Sequence, residues 1–137
     1  MLIDSHAHLT SATVIDHAEE MLQRAEQHQI RAIVNICTDH ESLVKGLALQ
    51  KRHRWVFNAA AATPHDVEKI GDPFFAEVAQ HAREVDLIAI GETGLDYHYE
   101  HSPKDLQKKH LYQYLDLAIE TKLPLIFHCR NAFQDLF

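Results

Sequence analysis

Met1-Leu2-Ile3-Asp4-Ser5-His6-Ala7-His8 opens the chain with a short apolar run that leads into two histidines. Side chains alternate faces along a strand, so residues two apart point the same way. At a strand end, His6 and His8 can hold one metal ion between them. The spacing alone carries little weight in a chain with 12 histidines among 137 residues. Its position carries more. Leu87-Ile88-Ala89-Ile90-Gly91 runs into Glu92, and Leu125-Ile126-Phe127 runs into His128. Three strand-like runs thus end in metal-ligand residue types, a pattern that scattered core histidines would not produce.

Helical patterns fill the intervals. Leu2–Asp4 predicts the first strand, and Ile15, Ala18, Leu22 and Ala25 share one face of a helix over 16–28. Ala32–Cys37 predicts the second strand. Thr38-Asp39-His40-Glu41 then reads as a capping box opening a helix to Arg52. Val56–Ala61 is the third strand, and Asp72-Pro73 reads as a cap with proline at the first helical position. Leu87–Gly91 is the fourth strand. Ser102-Pro103 repeats the cap-then-proline signal ahead of a helix that turns Leu106, Leu111, Leu115 and Ala118 inward. Leu125–Phe127 is the fifth strand, and Asn131 reads as the cap of one more helix.

This βαβαβαβαβ order implies a parallel sheet with right-handed crossovers. A doubly wound fold favours a Gly-rich loop after its first strand, and none is present. A barrel places its chemistry at the C-terminal ends of several strands, where His6, His8, Glu92 and His128 fall. The expectation is α/β, a TIM-type (β/α) barrel represented by about its first five strands. Residues 1–137 read as a single domain, the N-terminal part of a barrel of about 250 residues.

The charged fraction is 24% and the net charge -7 with histidine neutral. That lacks the basic footprint of a non-specific duplex binder. Bound metal ions reverse such a field locally, so a phosphate-bearing substrate gripped at a point stays open. No apolar run reaches the length of about 18–20 residues that spans a bilayer. No basic, apolar leader precedes Asp4, and Cys37 and Cys129 lack zinc-site spacing. The expectation is a cytoplasmic protein with two reduced thiols.

Glu92 stands in Gly91-Glu92-Thr93-Gly94-Leu95-Asp96-Tyr97. Its two oxygens can bridge two cations, as two-metal hydrolysis requires. It reads equally as a turn carboxylate that caps the next element. Arg130 can grip a phosphate with two N–H groups, or form a salt bridge within the mouth.

The chain resembles the TatD family of metal-dependent deoxyribonucleases, within the amidohydrolase superfamily. The resemblance rests on Ile3-Asp4-Ser5-His6-Ala7-His8-Leu9, Pro64-His65-Asp66 and Ala89-Ile90-Gly91-Glu92-Thr93-Gly94-Leu95-Asp96-Tyr97. It continues through Ser102-Pro103, Gln107 and Leu123-Pro124-Leu125-Ile126-Phe127-His128-Cys129-Arg130-Asn131-Ala132. It implies His6 and His8 as ligands of one metal, Glu92 as the carboxylate shared by two, and His128 as a ligand of the second. It implies two divalent ions (Zn, Mn or Mg) and hydrolysis of DNA phosphodiester bonds; the acidic net charge favours a short single strand or a strand end over a long duplex. His65 is implied as a contact to substrate phosphate, and Asp96 and Tyr97 as supports for the Glu92 loop. Thr63 stands where the family often has histidine.

The family's further ligands, a histidine after strand six and an aspartate general base after strand eight, have no counterpart in residues 1–137. Two alternatives follow: a related amidohydrolase acting on an amide or small ester, or a non-catalytic fragment. For residues 1–137 alone the expectation is self-association, poor zinc or manganese binding and no significant nuclease activity. Interior faces carrying Ile36, Ile90 and Phe127 are expected to stand uncovered.

Overall fold

The computed structural model describes residues 2–137. Five parallel strands, β1 (Leu2–Ala7), β2 (Ile30–Cys37), β3 (Val56–Ala60), β4 (Ala89–Asp96) and β5 (Leu125–Arg130), pair in chain order. The order never reverses, so the sheet has no switch point of the doubly wound kind. It winds one way, as a TIM-type barrel does. A 3-10 turn (Ile15–His17) and α1 (Ala18–Gln27) follow β1, and α2 (His40–Arg52), α3 (Val67–Arg83), α4 (Lys104–Thr121) and α5 (Phe133–Leu136) follow the other strands in turn.

The two faces of the sheet have separate cores. Cys37, Ala60, Ile90 and Leu125 meet Leu43, Phe74, Val78, Tyr114 and Leu117 from the helices. Ile36, Ala59 and Ala89, with Val34 and Ile126 packed against them, form the cluster on the opposite, inner face. The period of two along each strand makes this division.

Several local expectations are corrected. β1 runs to Ala7, β4 to Asp96 and β5 to Arg130, so His6, Glu92 and His128 lie inside strands and do not follow them. The apolar run stops earlier than the ladder because polar site residues continue the backbone pairing. The box that opens α2 lies one residue later than read: Ser42 N–H donates to Asp39 Oδ1 at 2.7 Å, and Asp39 N–H donates to Ser42 Oγ at 3.1 Å. α3 starts at Val67, with Pro73 inside it. Val67, Gly71, Phe74, Val78 and Ala82 form one buried stripe across the proline, and that burial outweighs the backbone hydrogen bond that proline removes. Ser102 does not cap α4; its hydroxyl donates to the His65 carbonyl and accepts from Glu68 N–H. The cap of α5 is Ala132, not Asn131.

The expected uncovered interior also differs. Ile36 and Ile90 are buried, Ile90 on the helix side, and only Phe127 of the three is exposed. His110 of α4 is buried with its ring against Gly71. No helix among the described residues is long and apolar enough to cross a membrane.

Candidate metal centre

His6 and His8 project from one face at the end of β1, their rings edge-on with centroids 5.2 Å apart. The backbone beyond them is pinned from below. Buried Asn35 of β2 accepts Leu9 N–H at 2.9 Å, and donates to Thr10 Oγ1 at 3.0 Å and Asn58 Oδ1 at 2.9 Å. The Thr10 hydroxyl donates to the Ser42 carbonyl at 2.8 Å. A fully paired polar network of this kind holds one backbone course.

Glu92 sits where the β4–β5 register shifts, between Gly91 and Thr93. Its carboxylate stands between two histidines from different strands. Oε2 lies 3.3 Å from His6 Nε2, and Oε1 lies 2.9 Å from His128 Nδ1. Gly94 is the other requirement: its φ is +148°, and a Cβ there would overlap the His128 carbonyl. The two backbones approach that closely only with glycine.

Asp96, fully buried, is the second hub. Oδ1 accepts N–H bonds from His98 at 2.9 Å and Tyr99 at 3.2 Å. Oδ2 faces His128 Nε2 at 2.7 Å, His65 Nε2 at 3.3 Å and Arg130 Nε at 3.7 Å. Burial is the largest influence on its acidity and pushes it up. The hydrogen bonds from His128, Tyr99 and His98 together outweigh burial and hold the carboxyl below its ordinary value. Gln107 of α4 clamps the Asp96 backbone: Asp96 N–H donates to Gln107 Oε1 at 2.8 Å, and Gln107 Nε2 donates to the Asp96 carbonyl at 3.1 Å and the Ser102 carbonyl at 2.8 Å.

Two sets of donor atoms result, His6/His8/Glu92 and His65/Asp96/His128, each with its atoms within 4.8 Å of one another. Imidazole nitrogen and carboxylate oxygen suit zinc or manganese. His65 Nδ1 is buried without a hydrogen-bond partner among the described residues. The donor chemistry therefore fits divalent ions. His65 and Arg130, read from the sequence as phosphate contacts, face the same Asp96 oxygen. Tyr97 turns away and donates its hydroxyl to Asp135 at 2.7 Å. Asp96 was read only as a support for the Glu92 loop, and its place at the centre of the second set was missed. Only the pairing of β4 with β5 reveals it: Asp96 is two residues beyond Gly94, whose strand partner is His128, so one strand face carries it towards that histidine.

A family model described as TatD related DNase matches residues 3–137. An uncharacterised metal-dependent hydrolase, YabD of Bacillus subtilis (strain 168), is 32% identical over 99% of this chain and 53% of its own length. The 3'-5' ssDNA/RNA exonuclease TatD of Cronobacter sakazakii is 30% identical over 96% of this chain and 50% of its own. The crystal structure of YJJV, a TatD homolog from Escherichia coli k12, superposes with a TM-score of 0.88 at 29% identity, covering 98% of this chain and 53% of that one. The chain spans about half the length of these relatives. With the match running from the first strand to the last residue, the chain belongs to the TatD-related DNase family.

Proposed function

We propose that this chain carries the metal-binding mouth of a metal-dependent hydrolase that cleaves phosphodiester bonds in nucleic acid, on short or single strands or at strand ends. The observation that carries the reading is the Glu92 carboxylate, with one oxygen towards His6 and the other towards His128. His6, His8 and Glu92 would hold one divalent ion, and Glu92 and His128 would share a second. Two such ions, Zn, Mn or Mg, supply Lewis-acid polarisation of the phosphoryl oxygen and lower the pKa of a bound water.

The chain's own residues do the rest. Asp96 fixes the His128 ring from its other nitrogen, the arrangement that orients a metal-ligating imidazole. Arg130 and His65, which face Asp96 on the rim of the same cluster, would turn their remaining N–H groups to a phosphate oxygen. An acidic chain with a local cationic grip favours a strand end over a long duplex. A cytoplasmic compartment belongs to the same reading, and free thiols at Cys37 and Cys129 suit a reducing one.

The test is Glu92→Gln in the protein that carries the complete barrel. The fold stays, and cleavage of a single-stranded oligonucleotide in zinc or manganese falls at least about a hundredfold, because a neutral amide is a poor shared ligand. Unchanged cleavage removes Glu92 from the mechanism. Hydrolysis of a simple amide or ester, with the oligonucleotide left intact, moves the chain to the amidohydrolase alternative.

A further inference from the structure

The loop between β4 and α4 carries two rings that no core explains. Tyr99 is 53% exposed and His101 is exposed, and neither belongs to a hydrophobic cluster of the described residues. They lie nearly parallel, 6° between planes and 5.4 Å between centroids. The Arg130 guanidinium carbon lies 5.2 Å from the centre of the Tyr99 ring. His65 meets His101 edge-on at 5.4 Å and lies tilted to Tyr99 at 5.8 Å. His65 also meets His128 at 5.5 Å. A continuous set of rings therefore leads from the candidate metal centre to solvent, with the Arg130 guanidinium lying between the Tyr99 ring and Asp96.

That combination has a specific chemistry. Every nucleobase presents a π-face, and base stacking on exposed aromatics is the usual way to hold a single strand without reading its sequence. An arginine against the same ring contributes a cation–π contact and a charge for the neighbouring phosphate. A small ester or amide would leave the ring pair unused.

We propose that the Tyr99–His101 pair is a stacking platform for a nucleobase of a single strand, with Arg130 against the phosphate between that base and the metal centre. This rests on the hydrolase reading above and names how that site takes its substrate. The platform recognises a planar base and not its hydrogen-bonding edge, so it discriminates a base from no base and is indifferent to which base it holds.

In the protein that carries the complete barrel, the experiment measures binding of a fluorescein-labelled thymidine octamer, and of an abasic octamer of equal charge, with chelator present so that nothing is cut. The parent protein binds the thymidine strand about tenfold tighter than the abasic one, as stacking of about one base on an aromatic provides. Tyr99→Ala removes most of that preference and changes abasic affinity less than twofold. Tyr99→Trp restores the preference, while Arg130→Ala weakens both strands. Circular dichroism confirms that each variant is folded. Equal affinity of the parent for the two strands, or no binding of either, overturns the proposal; so does an equal loss on both strands in Tyr99→Ala. A protein that prefers the thymidine strand yet cleaves nothing when metal is restored keeps the platform and loses the hydrolase reading. One that cleaves both octamers alike, Tyr99→Ala included, keeps the hydrolase reading and loses the platform.

Discussion

Gln107→Ala attacks the site without touching any side chain in it. Gln107 is 1% exposed, and its amide makes three bonds, to the Asp96 N–H, the Asp96 carbonyl and the Ser102 carbonyl. Truncation leaves the Asp96 N–H buried without its acceptor, at a cost of about 1–3 kcal/mol, and forfeits two further bonds at about 1 kcal/mol each. The sum is about 3–5 kcal/mol. With a urea slope of about 1–3 kcal/mol/M for a small protein, the unfolding midpoint falls by roughly 2 M. Gln107→Glu sharpens the reasoning. The introduced carboxylate still accepts the Asp96 N–H, but its second oxygen then faces two carbonyls. Burial and those carbonyls raise the folded pKa of the introduced group above its unfolded value near ~4.3. Its deficit relative to the parent is therefore small below about pH 4 and grows as pH rises through the folded pKa. Urea unfolding of parent and both variants at acid and neutral pH is the assay. A midpoint drop under about 0.5 M for Gln107→Ala would mean that water satisfies the freed groups. A Gln107→Glu deficit that shrinks with rising pH would refute the clamp.

Two further outcomes follow from burial and edges. Desolvation pushes the Cys37 thiol up to about 12, against a weaker opposing hydrogen bond with Thr10. At pH 8 a disulfide reagent therefore labels half-buried Cys129 first and Cys37 only on unfolding. The raised folded pKa contributes stability that is complete below the unfolded thiol pKa, near ~8.5, and is lost as pH rises beyond it; labelling of Cys37 as fast as Cys129 in native buffer would contradict this. Separately, β1 and β5 are the outer strands of the described sheet, with Leu2 and Ile3 each 61% and Phe127 46% exposed. Residues 1–137 on their own are expected to self-associate in sedimentation velocity, through such edges and patches; a monodisperse monomer at high concentration argues against it.

Much of this was legible in the residues because period and position are local properties. The alternation of short apolar runs with 3.6-period stretches gave the strand and helix order. The strand-end placement of His6, His8, Glu92 and His128 favoured a barrel over a doubly wound sheet. What was misread depends on partners far along the chain. Pro73 reads locally as a helix start, yet the stripe from Val67 to Ala82 packs as one surface through it. Ser102 reads as a cap for α4, yet its hydroxyl serves the His65 carbonyl, 37 residues away. His110 looks like a surface histidine until Gly71, on a neighbouring helix, leaves room for its ring. Asp96 reads as a support for the Glu92 loop until β5 brings His128 to it. None of these pairings has a signature shorter than the fold itself.

The contacts of Glu92 also fix the shape of the sheet. Neighbouring strands are about 4.8 Å apart, so in a flat sheet β1 and β4 would be separated by about 14 Å. Side chains stand roughly perpendicular to a flat sheet, and a histidine and a glutamate on strands so far apart would not meet. Yet His6 Nε2 lies 3.3 Å from Glu92 Oε2. The sheet must therefore curl, with the faces that carry His6, Glu92 and His128 turned inward. The inner cluster of Ile36, Ala59 and Ala89 supplies the reason, since alanines at two of these positions let the strands close on a small interior. Closure and site are then one event. The apolar inner layer that bends the sheet also sets the distance between the two histidine groups. A bulky residue at Ala59 or Ala89 would open the His6–Glu92 contact before it unfolded the chain.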